Sequence, residues 1–161
     1  LESISTMPVV NVAKNFIWGE DVYLIYEHCF GIDASEEEMI AAAKKEGIKL
    51  WMTSGYRSYY DQEYIYNGYV RRDGQEKADT YSARPGHSEH QTGLAYDLND
   101  LSWNFGETPE GVWVAENCHK YGFILRYPKD KEEITGYVNE TWHIRYVGYP
   151  HAEIIMQNKQ N

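Results

Sequence analysis

The stretch that decides the fold reads Ser88-Glu89-His90-Gln91-Thr92-Gly93-Leu94-Ala95-Tyr96-Asp97, and it is followed further along the chain by Glu140-Thr141-Trp142-His143. The two stretches together supply two imidazoles, a carboxylate that can bind a metal ion and a second carboxylate that can act as a base. Zinc prefers imidazole nitrogen and carboxylate oxygen, and catalytic zinc sites have three protein ligands with a proton acceptor beside them. This combination of residue types predicts a zinc-dependent hydrolase.

The cysteine content favours an open metal site over a structural one. A closed structural zinc site usually has four ligands, often thiolates, whereas this chain has only Cys29 and Cys118, far apart in sequence. Two cysteines form no disulfide framework, so they indicate neither an oxidising nor a reducing compartment. A catalytic site is therefore the favoured interpretation.

The residues after the first histidine predict how it reaches a metal ion. Leu94 to Leu98 has the alternating pattern of a short strand, in which Ala95 and Asp97 share one face. Gly93 and Ala95 leave space around the metal, and His90 is expected in a loop before the strand. The second stretch runs into aromatic and β-branched residues, which disfavour a helix. We therefore expect a strand there as well, with His143 at its start and Glu140 in the preceding loop.

The other histidines offer alternative interpretations. His87 and His90 lie three residues apart and could be paired ligands, although Pro85-Gly86 before His87 indicates a loop. A single histidine among apolar neighbours is more often a hydrogen-bonded structural residue than a ligand, so spacing alone leaves the ligand set open. The remaining histidines are interpreted as surface or packing residues: His28, His119 and His151.

Capping signals predict three helices, which run from Ser35 to Gly47, from Ser58 to Gly74 and from Thr108 to Gly122. Strands are predicted at residues 9–12 and 48–53. The polar segment between Gly74 and Ser82 is expected to be a mobile loop beside the site. The chain of 161 residues is predicted to be one α+β domain over residues 1–161, in which a small antiparallel sheet with flanking helices carries the zinc ligands.

The composition excludes two classes of partner. The net charge is −10, whereas nucleic acids and anionic lipid surfaces attract basic patches. The sequence has no run of about 18 apolar residues and its first residues do not form a signal peptide. Because the chain does not begin with Met, we expect an upstream segment to have been removed. The oligomeric state has no sequence signal.

Four blocks in the same order give the sequence a family resemblance. They are Ser54-Gly55-Tyr56-Arg57-Ser58, residues 85–97, Tyr121-Gly122-Phe123-Ile124-Leu125-Arg126-Tyr127-Pro128 with residues 134–137, and Trp142-His143-Ile144-Arg145-Tyr146-Val147-Gly148. Over about residues 48 to 150 the chain resembles the VanY-type D-alanyl-D-alanine carboxypeptidases. That zinc peptidase group also includes VanX dipeptidases, bifunctional VanXY enzymes and LdcB-type L,D-carboxypeptidases. One departure is Thr141, where many relatives have proline; the change affects loop rigidity more than chemistry.

The resemblance implies a role for each site residue. One zinc ion per chain would be held by three ligands, which are His90, Asp97 and His143. Glu140 would be the general base, which takes a proton from the attacking water and later passes it to the leaving amine.

The resemblance also implies how the substrate is held. Arg57 would stabilise the oxyanion or hold the terminal carboxylate of the substrate, a role that suits the planar donors of guanidinium. Its alternative role is that of a strand-end arginine that caps a nearby helix. Ser88 and Gln91 would bind backbone groups of the substrate.

The expected activity is hydrolysis of the terminal D-Ala from peptidoglycan stem peptides that end in D-Ala-D-Ala, with a link to glycopeptide (vancomycin) resistance. The alternatives are an L,D-carboxypeptidase that acts on tetrapeptides, a bifunctional D,D-dipeptidase and carboxypeptidase, and a non-catalytic module that binds wall peptides. The partner is a stem peptide or its precursor. Such an enzyme is expected outside the cytoplasmic membrane with an upstream anchor; a cytoplasmic enzyme acting on precursors is the alternative.

Overall fold

The computed structural model describes residues 32–159, so the predicted strand at residues 9–12, His28 and Cys29 lie outside the described part of the chain. The helices are α1 (Ile32–Lys45), α2 (Tyr59–Asp73), α3 (Gln75–Ala78), α4 (Pro109–Asn117), α5 (Glu132–Thr135) and α6 (His151–Lys159). The strands are β1 (Met52–Ser54), β2 (Ala95–Leu98), β3 (Phe123–Tyr127) and β4 (Glu140–Tyr146). Short 3₁₀ helices occupy Glu89–Thr92, Phe105–Glu107 and Cys118–Tyr121.

The four strands form one antiparallel sheet in the order β1-β2-β4-β3. In the central pair, Asp97 lies opposite His143 and Ala95 lies opposite Arg145. Side chains alternate between the two faces of a strand, so these four residues share one face of the sheet. The predicted α+β fold with a small antiparallel sheet and flanking helices is confirmed.

The opposite face of the sheet carries the hydrophobic core. Tyr96 and Leu98 of β2, Ile144 of β4 and Phe123 of β3 are all 0% exposed. They belong to one buried cluster with side chains from α1, from α4 and from the 3₁₀ helix at Phe105–Glu107. The helices therefore cover the apolar face, and the polar face is left to form the site.

Two of the predicted helix starts have the expected caps. The Ser58 hydroxyl accepts a hydrogen bond from the Asp61 amide at 3.1 Å, and the Thr108 hydroxyl accepts one from the Gly111 amide at 3.1 Å. The helix that begins after Thr108 becomes 3₁₀ at Cys118 and ends at Gly122. Gly122 has a φ of 81°, and an added Cβ there would lie 2.7 Å from the Tyr146 ring, so two separate constraints favour glycine.

Two element boundaries differ from the prediction. Helix α1 begins at Ile32, so Ser35 lies in its first turn and does not cap it; serine costs a helix little, which lets a turn precede the capping pattern. The strand predicted at residues 48–53 shortens to β1. The Asn99 side chain accepts from the Trp51 amide and donates to the Lys49 carbonyl, and this satisfies the backbone outside the strand ladder.

The segment predicted as a mobile loop contains helix α3. Gly74 has a φ of 83°, which lets the chain turn directly from α2 into α3, where Ala78 is fully buried. Tyr66 and Arg84 both donate to the Asp79 carboxylate just after α3. Within residues 32–159, no helix combines the length and apolar character needed to cross a bilayer.

Candidate active site

Three buried side chains converge on the polar face of the sheet. His90, Asp97 and His143 are each 4% exposed, and one donor atom from each lies within 4.8 Å of the others. The pairing of β2 with β4 places Asp97 opposite His143, and the 3₁₀ helix before β2 carries His90. His90 therefore lies in a helical turn instead of the predicted loop. The structure brings together the three residues that the resemblance implied as ligands.

His90 has a fixed ring orientation. Its Nδ1 lies 2.7 Å from the carbonyl oxygen of Gly55, which can only accept, so Nδ1 carries the proton. The other ring nitrogen, Nε2, lies 3.2 Å from Asp97 Oδ2 and is available as a ligand. A histidine that binds a metal through one nitrogen commonly donates from the other to a backbone carbonyl, which is the arrangement seen here.

His143 approaches Asp97 through its other nitrogen. His143 Nδ1 lies 3.1 Å from Asp97 Oδ1. Burial alone would favour the neutral ring, but the neighbouring carboxylates of Asp97 and Glu89 raise the pKa of His143 to about 9. Burial opposes ionisation of Asp97 as well, yet hydrogen bonds with the two histidines hold its pKa well below its usual range. The site therefore holds a carboxylate between two imidazoles.

Glu140 is the first residue of β4, not a residue of the preceding loop as predicted. Strict alternation would place Glu140 and His143 on opposite faces, because they are three residues apart. The β3–β4 register shifts between Leu125 and Tyr127, so that Leu125 pairs with Ile144 while Tyr127 pairs with Glu140. This irregularity, like a bulge, re-aims the end of the strand. As a result, Glu140 Oε2 lies 3.9 Å from His143 Nδ1.

The environment of Glu140 suits proton transfer. Burial raises the pKa of Glu140 to about 7; the positive charge of His143 opposes this shift and the negative charge of Asp97 adds to it. A general base works best when its pKa is near the working pH. Glu140 can therefore accept and release a proton near neutrality, whereas Asp97 remains ionised.

Arg57 lies at the edge of the three ligand-type residues and is held by neighbours on two sides. It donates to Gln62 Oε1 at 2.9 Å and to the Ser54 hydroxyl at 3.0 Å, and its Nη2 lies 3.6 Å from Asp97 Oδ2. Gln62 is 1% exposed and also donates to the Ala83 carbonyl. These contacts place Arg57 in the site and give it a fixed direction. Within residues 32–159 its side-chain hydrogen bonds go to the side chains of Gln62 and Ser54, so the alternative role as a helix cap has no support.

The remaining predicted residues differ in position. Ser88 is 8% exposed and lines a cavity that opens from the site. Gln91 uses its side-chain oxygen to accept from the Gly86 amide at 2.8 Å and is not among the described residues that line this cavity. His87 is exposed and does not join the three ligand-type residues, so the alternative pair of His87 and His90 is not formed.

The site opens into a cavity of about 420 Å³. Its floor contains the ionisable residues described above, and aromatic side chains form much of its wall. Trp103 is 68% exposed and packs edge-on against Trp142, with ring centroids 5.1 Å apart. Tyr127 packs against the His143 ring at 4.9 Å. This volume lies within the usual range of ligand-binding pockets.

Sequence reasoning missed two residues that hold the site residues in place, Gln62 and Glu89. Gln62 lies in the middle of α2 and orients Arg57, but a glutamine in a helix resembles an ordinary surface residue. Glu89 lies next to His90 and contacts both Arg126 and His143. The only sequence signal for Glu89 was its place inside the deciding stretch.

The donor set fits zinc. Two imidazole nitrogens and one carboxylate oxygen are typical ligands of catalytic zinc, and three protein ligands leave a position for a reacting molecule. The buried Asp97 carboxylate has imidazole rings on both sides and Arg57 nearby, so a cation in this position would face one full negative charge from the ligands. Glu140 would lie beside the reacting molecule without being needed as a ligand.

Comparison with known proteins gives consistent results. The model of the family described as VanY, D-alanyl-D-alanine carboxypeptidase, matches residues 31–149. YodJ of Bacillus subtilis (strain 168) is 51% identical over 126 residues, which cover 74% of this chain and 46% of YodJ. The chain thus spans less than half the length of this curated relative.

Two solved structures share the fold. The LdcB LD-carboxypeptidase has 48% identity and a TM-score of 0.75, with 80% of this chain and 63% of that chain covered. The E175A mutant of the D,D-pentapeptidase VanY from a VanB-type resistance cassette, in complex with Zn(II), has 37% identity and a TM-score of 0.71; 80% of this chain and 77% of that chain are covered.

Proposed function

Because this chain belongs to the VanY family of D-alanyl-D-alanine carboxypeptidases, we propose that it is a zinc-dependent D,D-carboxypeptidase that removes the terminal D-Ala from stem peptides ending in D-Ala-D-Ala. The observation that carries the proposal is the buried cluster of His90, Asp97 and His143 with Glu140 beside it. A wall-peptide binding module would not need a partly buried base with a pKa of about 7 next to three ligand-type residues.

Each residue has a chemical role in this proposal. One zinc ion per chain, held by His90, Asp97 and His143, would supply a Lewis acid that polarises the scissile carbonyl and acidifies a water molecule. Glu140 accepts a proton from the attacking water as the water oxygen bonds to the carbonyl carbon. Glu140 then donates this proton to the leaving amine when the peptide bond breaks, so the base ends the cycle ionised.

Arg57 is assigned to the substrate carboxylate or to the oxyanion. Its guanidinium is held by Gln62 and Ser54 and is partly exposed, so donor capacity remains for a ligand. Ser88 lines the same cavity and is assigned to backbone groups of the substrate. Gln91 is also assigned to backbone groups of the substrate; its side-chain oxygen accepts from the Gly86 amide in the neighbouring loop.

An L,D-carboxypeptidase is the second candidate. The specific observation in its favour is that the LdcB LD-carboxypeptidase has the higher identity and TM-score of the two structures compared above. The two activities share the same bond-breaking chemistry and differ in the residue that precedes the scissile bond. In either case we propose that the enzyme acts on the cell wall side of the membrane. The link to glycopeptide resistance belongs to the D,D activity alone.

A panel of substrates tests the proposal. The purified chain is incubated with a pentapeptide ending in D-Ala-D-Ala, its D-Ala-D-lactate counterpart, a tetrapeptide with one terminal D-Ala, and free D-Ala-D-Ala. Released D-Ala or D-lactate is measured, with Glu140→Gln as the matched inactive control. We expect release from the pentapeptide, loss of this activity with chelator and its recovery with zinc.

Each outcome identifies one candidate. Release from the tetrapeptide alone would assign L,D-carboxypeptidase activity, and release from free D-Ala-D-Ala would add dipeptidase activity. Binding of the peptides without release, by the zinc-loaded protein, would favour the binding module. Full activity in a metal-free preparation would contradict the zinc assignment.

A further inference from the structure

Glu89 lines the same cavity as the three ligand-type residues, at the start of the 3₁₀ helix that carries His90. One carboxylate oxygen, Oε1, accepts from Arg126 Nε at 2.7 Å. The other, Oε2, points toward His143 Nε2 at 3.6 Å and toward Arg145 Nη1 at 3.9 Å. Glu89 thus touches one of the three ligand-type residues on the side away from Asp97.

The two facing atoms are buried, and neither makes an ordinary hydrogen bond. Among residues 32–159, Glu89 Oε2 and His143 Nε2 are both shielded from solvent and have no hydrogen bond within ordinary limits. Leaving a buried donor and a buried acceptor unpaired is costly, so such atoms almost always have partners. A gap of 3.6 Å is too small for a water molecule and only slightly longer than a direct hydrogen bond. A small rotation of either side chain would therefore let His143 Nε2 donate a hydrogen bond to Glu89 Oε2 and satisfy both atoms.

The ion pair with Arg126 does not by itself explain the position of Glu89. The Arg126 side chain is 36% exposed and that of Glu89 is 21% exposed, and ion pairs this accessible add little to stability. That pair occupies only Oε1. The second oxygen, Oε2, points into the protein toward the His143 ring. The ion pair with Arg126 does not account for this orientation.

We propose that Glu89 is a positioning residue whose carboxylate accepts the Nε2 proton of His143 and so keeps His143 Nδ1 free to bind the metal. The proposal rests on the zinc site proposed above. A neutral imidazole has one protonated nitrogen, and the partner of that nitrogen decides which one remains as the ligand. Glu89 would thus accept the ring proton of His143, as the Gly55 carbonyl accepts the ring proton of His90.

Zinc affinity of the metal-free protein tests the role of Glu89. Dissociation constants are measured by competition with a chelator for the wild type and four variants: Glu89→Ala, Glu89→Gln, Arg126→Gln and Glu133→Gln. We expect Glu89→Ala to weaken zinc binding by about 10–100-fold, the usual effect of removing a carboxylate behind a ligating histidine. Glu89→Gln should weaken it less, because the amide oxygen still accepts a hydrogen bond.

The other two variants are matched controls. Arg126→Gln removes the ion pair but keeps the Glu89 carboxylate, so zinc affinity should change by less than about tenfold. Glu133 is exposed in α5, and its variant should bind zinc like the wild type. Thermal melting of each metal-free protein separates loss of zinc affinity from loss of folding; if Glu89→Ala melts early, the comparison rests on Glu89→Gln.

An NMR-active cadmium isotope in place of zinc gives a second readout. Scalar coupling to isotope-labelled histidine identifies the ring nitrogen that binds the metal, and in the wild type this should be Nδ1 of His143. Coupling through Nε2 would overturn the proposal, as would wild-type zinc affinity in Glu89→Ala or equal losses in Glu89→Ala and Arg126→Gln. Failure of the wild type itself to bind zinc would overturn the proposed function as well, which distinguishes the two failures.

Discussion

The two faces of the central sheet are buried to nearly the same degree but by opposite kinds of side chain. On the helix-covered face, Tyr96 and Ile144 are 0% exposed, and on the cavity face their chain neighbours Asp97 and His143 are 4% exposed. Burial of apolar side chains stabilises the fold, whereas burial of ionisable groups costs free energy unless they are paired. Adjacent residues of one strand therefore divide between stability and chemistry.

This comparison explains why the polar face is retained. Hydrophobic residues at these positions would fold at least as well, since replacing buried ion pairs by apolar residues is often neutral or stabilising. A buried cluster of two histidines and two carboxylates is thus expected where it performs chemistry. If the division is correct, substitutions on one face should alter turnover without stability, and substitutions on the other should do the reverse.

The largest effect is expected for Glu140→Gln on the polar face. Glutamine keeps the shape of the side chain but cannot accept the proton, so kcat should fall by ~10²–10⁴. Zinc content and the free energy of unfolding should remain close to those of the wild type, because Glu140 is not a ligand. Steady-state kinetics on the preferred peptide provide the measurement. A variant with more than about a tenth of the wild-type kcat would show that another group is the base.

Arg57→Lys should differ from Glu140→Gln, because it should change substrate binding as well as turnover. Lysine keeps the charge but loses the planar fork of donors, so KM should rise and kcat should fall if Arg57 holds the terminal carboxylate. The same kinetic assay applies. A changed kcat with an unchanged KM would assign Arg57 to the oxyanion alone.

On the apolar face, Ile144→Ala should produce the converse result. Removing this fully buried side chain leaves a cavity, and the expected loss is about 2–5 kcal/mol in the free energy of unfolding. The zinc affinity of the folded variant should not change, even though His143 is the preceding residue. Denaturant unfolding followed by zinc titration checks both parts. If the variant instead bound zinc more weakly but kept the wild-type free energy of unfolding, the proposed division of roles between the two faces would be wrong.

The pH dependence of zinc binding to the metal-free protein tests the protonation state of the polar face. The pKa of His143 is about 9, so the ring is protonated at neutral pH and must release a proton before it can bind zinc. From this group alone, apparent zinc affinity should therefore increase about tenfold for each unit by which the pH is raised, up to about pH 9. Chelator competition at several pH values measures the slope. An affinity independent of pH between about 6 and 8 would mean that His143 is already neutral.

The parts of the fold that sequence could predict depend on local signals. The caps at Ser58 and Thr108 act within one helical turn, and the alternation from Leu94 to Leu98 reports a strand with one polar face. The position of Glu140 could not be predicted in this way. Its placement depends on the register shift between β3 and β4. That shift is a property of the pairing of the two strands, so the residue pattern of neither strand alone reveals it.

The supporting residues of the site escaped prediction for a related reason. Gln62 and Glu89 are polar residues in helical segments, and nothing local distinguishes them from residues on a solvated face. Their burial arises from other parts of the chain, such as the Ala83 carbonyl that binds Gln62 and the Arg126 side chain that binds Glu89. The ligand types could be inferred from composition of the motif, but the residues that orient them required the tertiary structure.

The central claim is that the polar face of the sheet is a zinc site, and zinc content of His143→Ala tests it most directly. Wild type and variant are loaded with zinc, freed of excess metal and analysed for metal content, with denaturant unfolding of the metal-free forms as the stability control. We predict one zinc per wild-type chain and loss of bound zinc in His143→Ala; the metal-free variant should still unfold cooperatively, at a lower free energy than wild type because Asp97 loses one of its two imidazole partners. Equal zinc content in the two proteins would contradict the account.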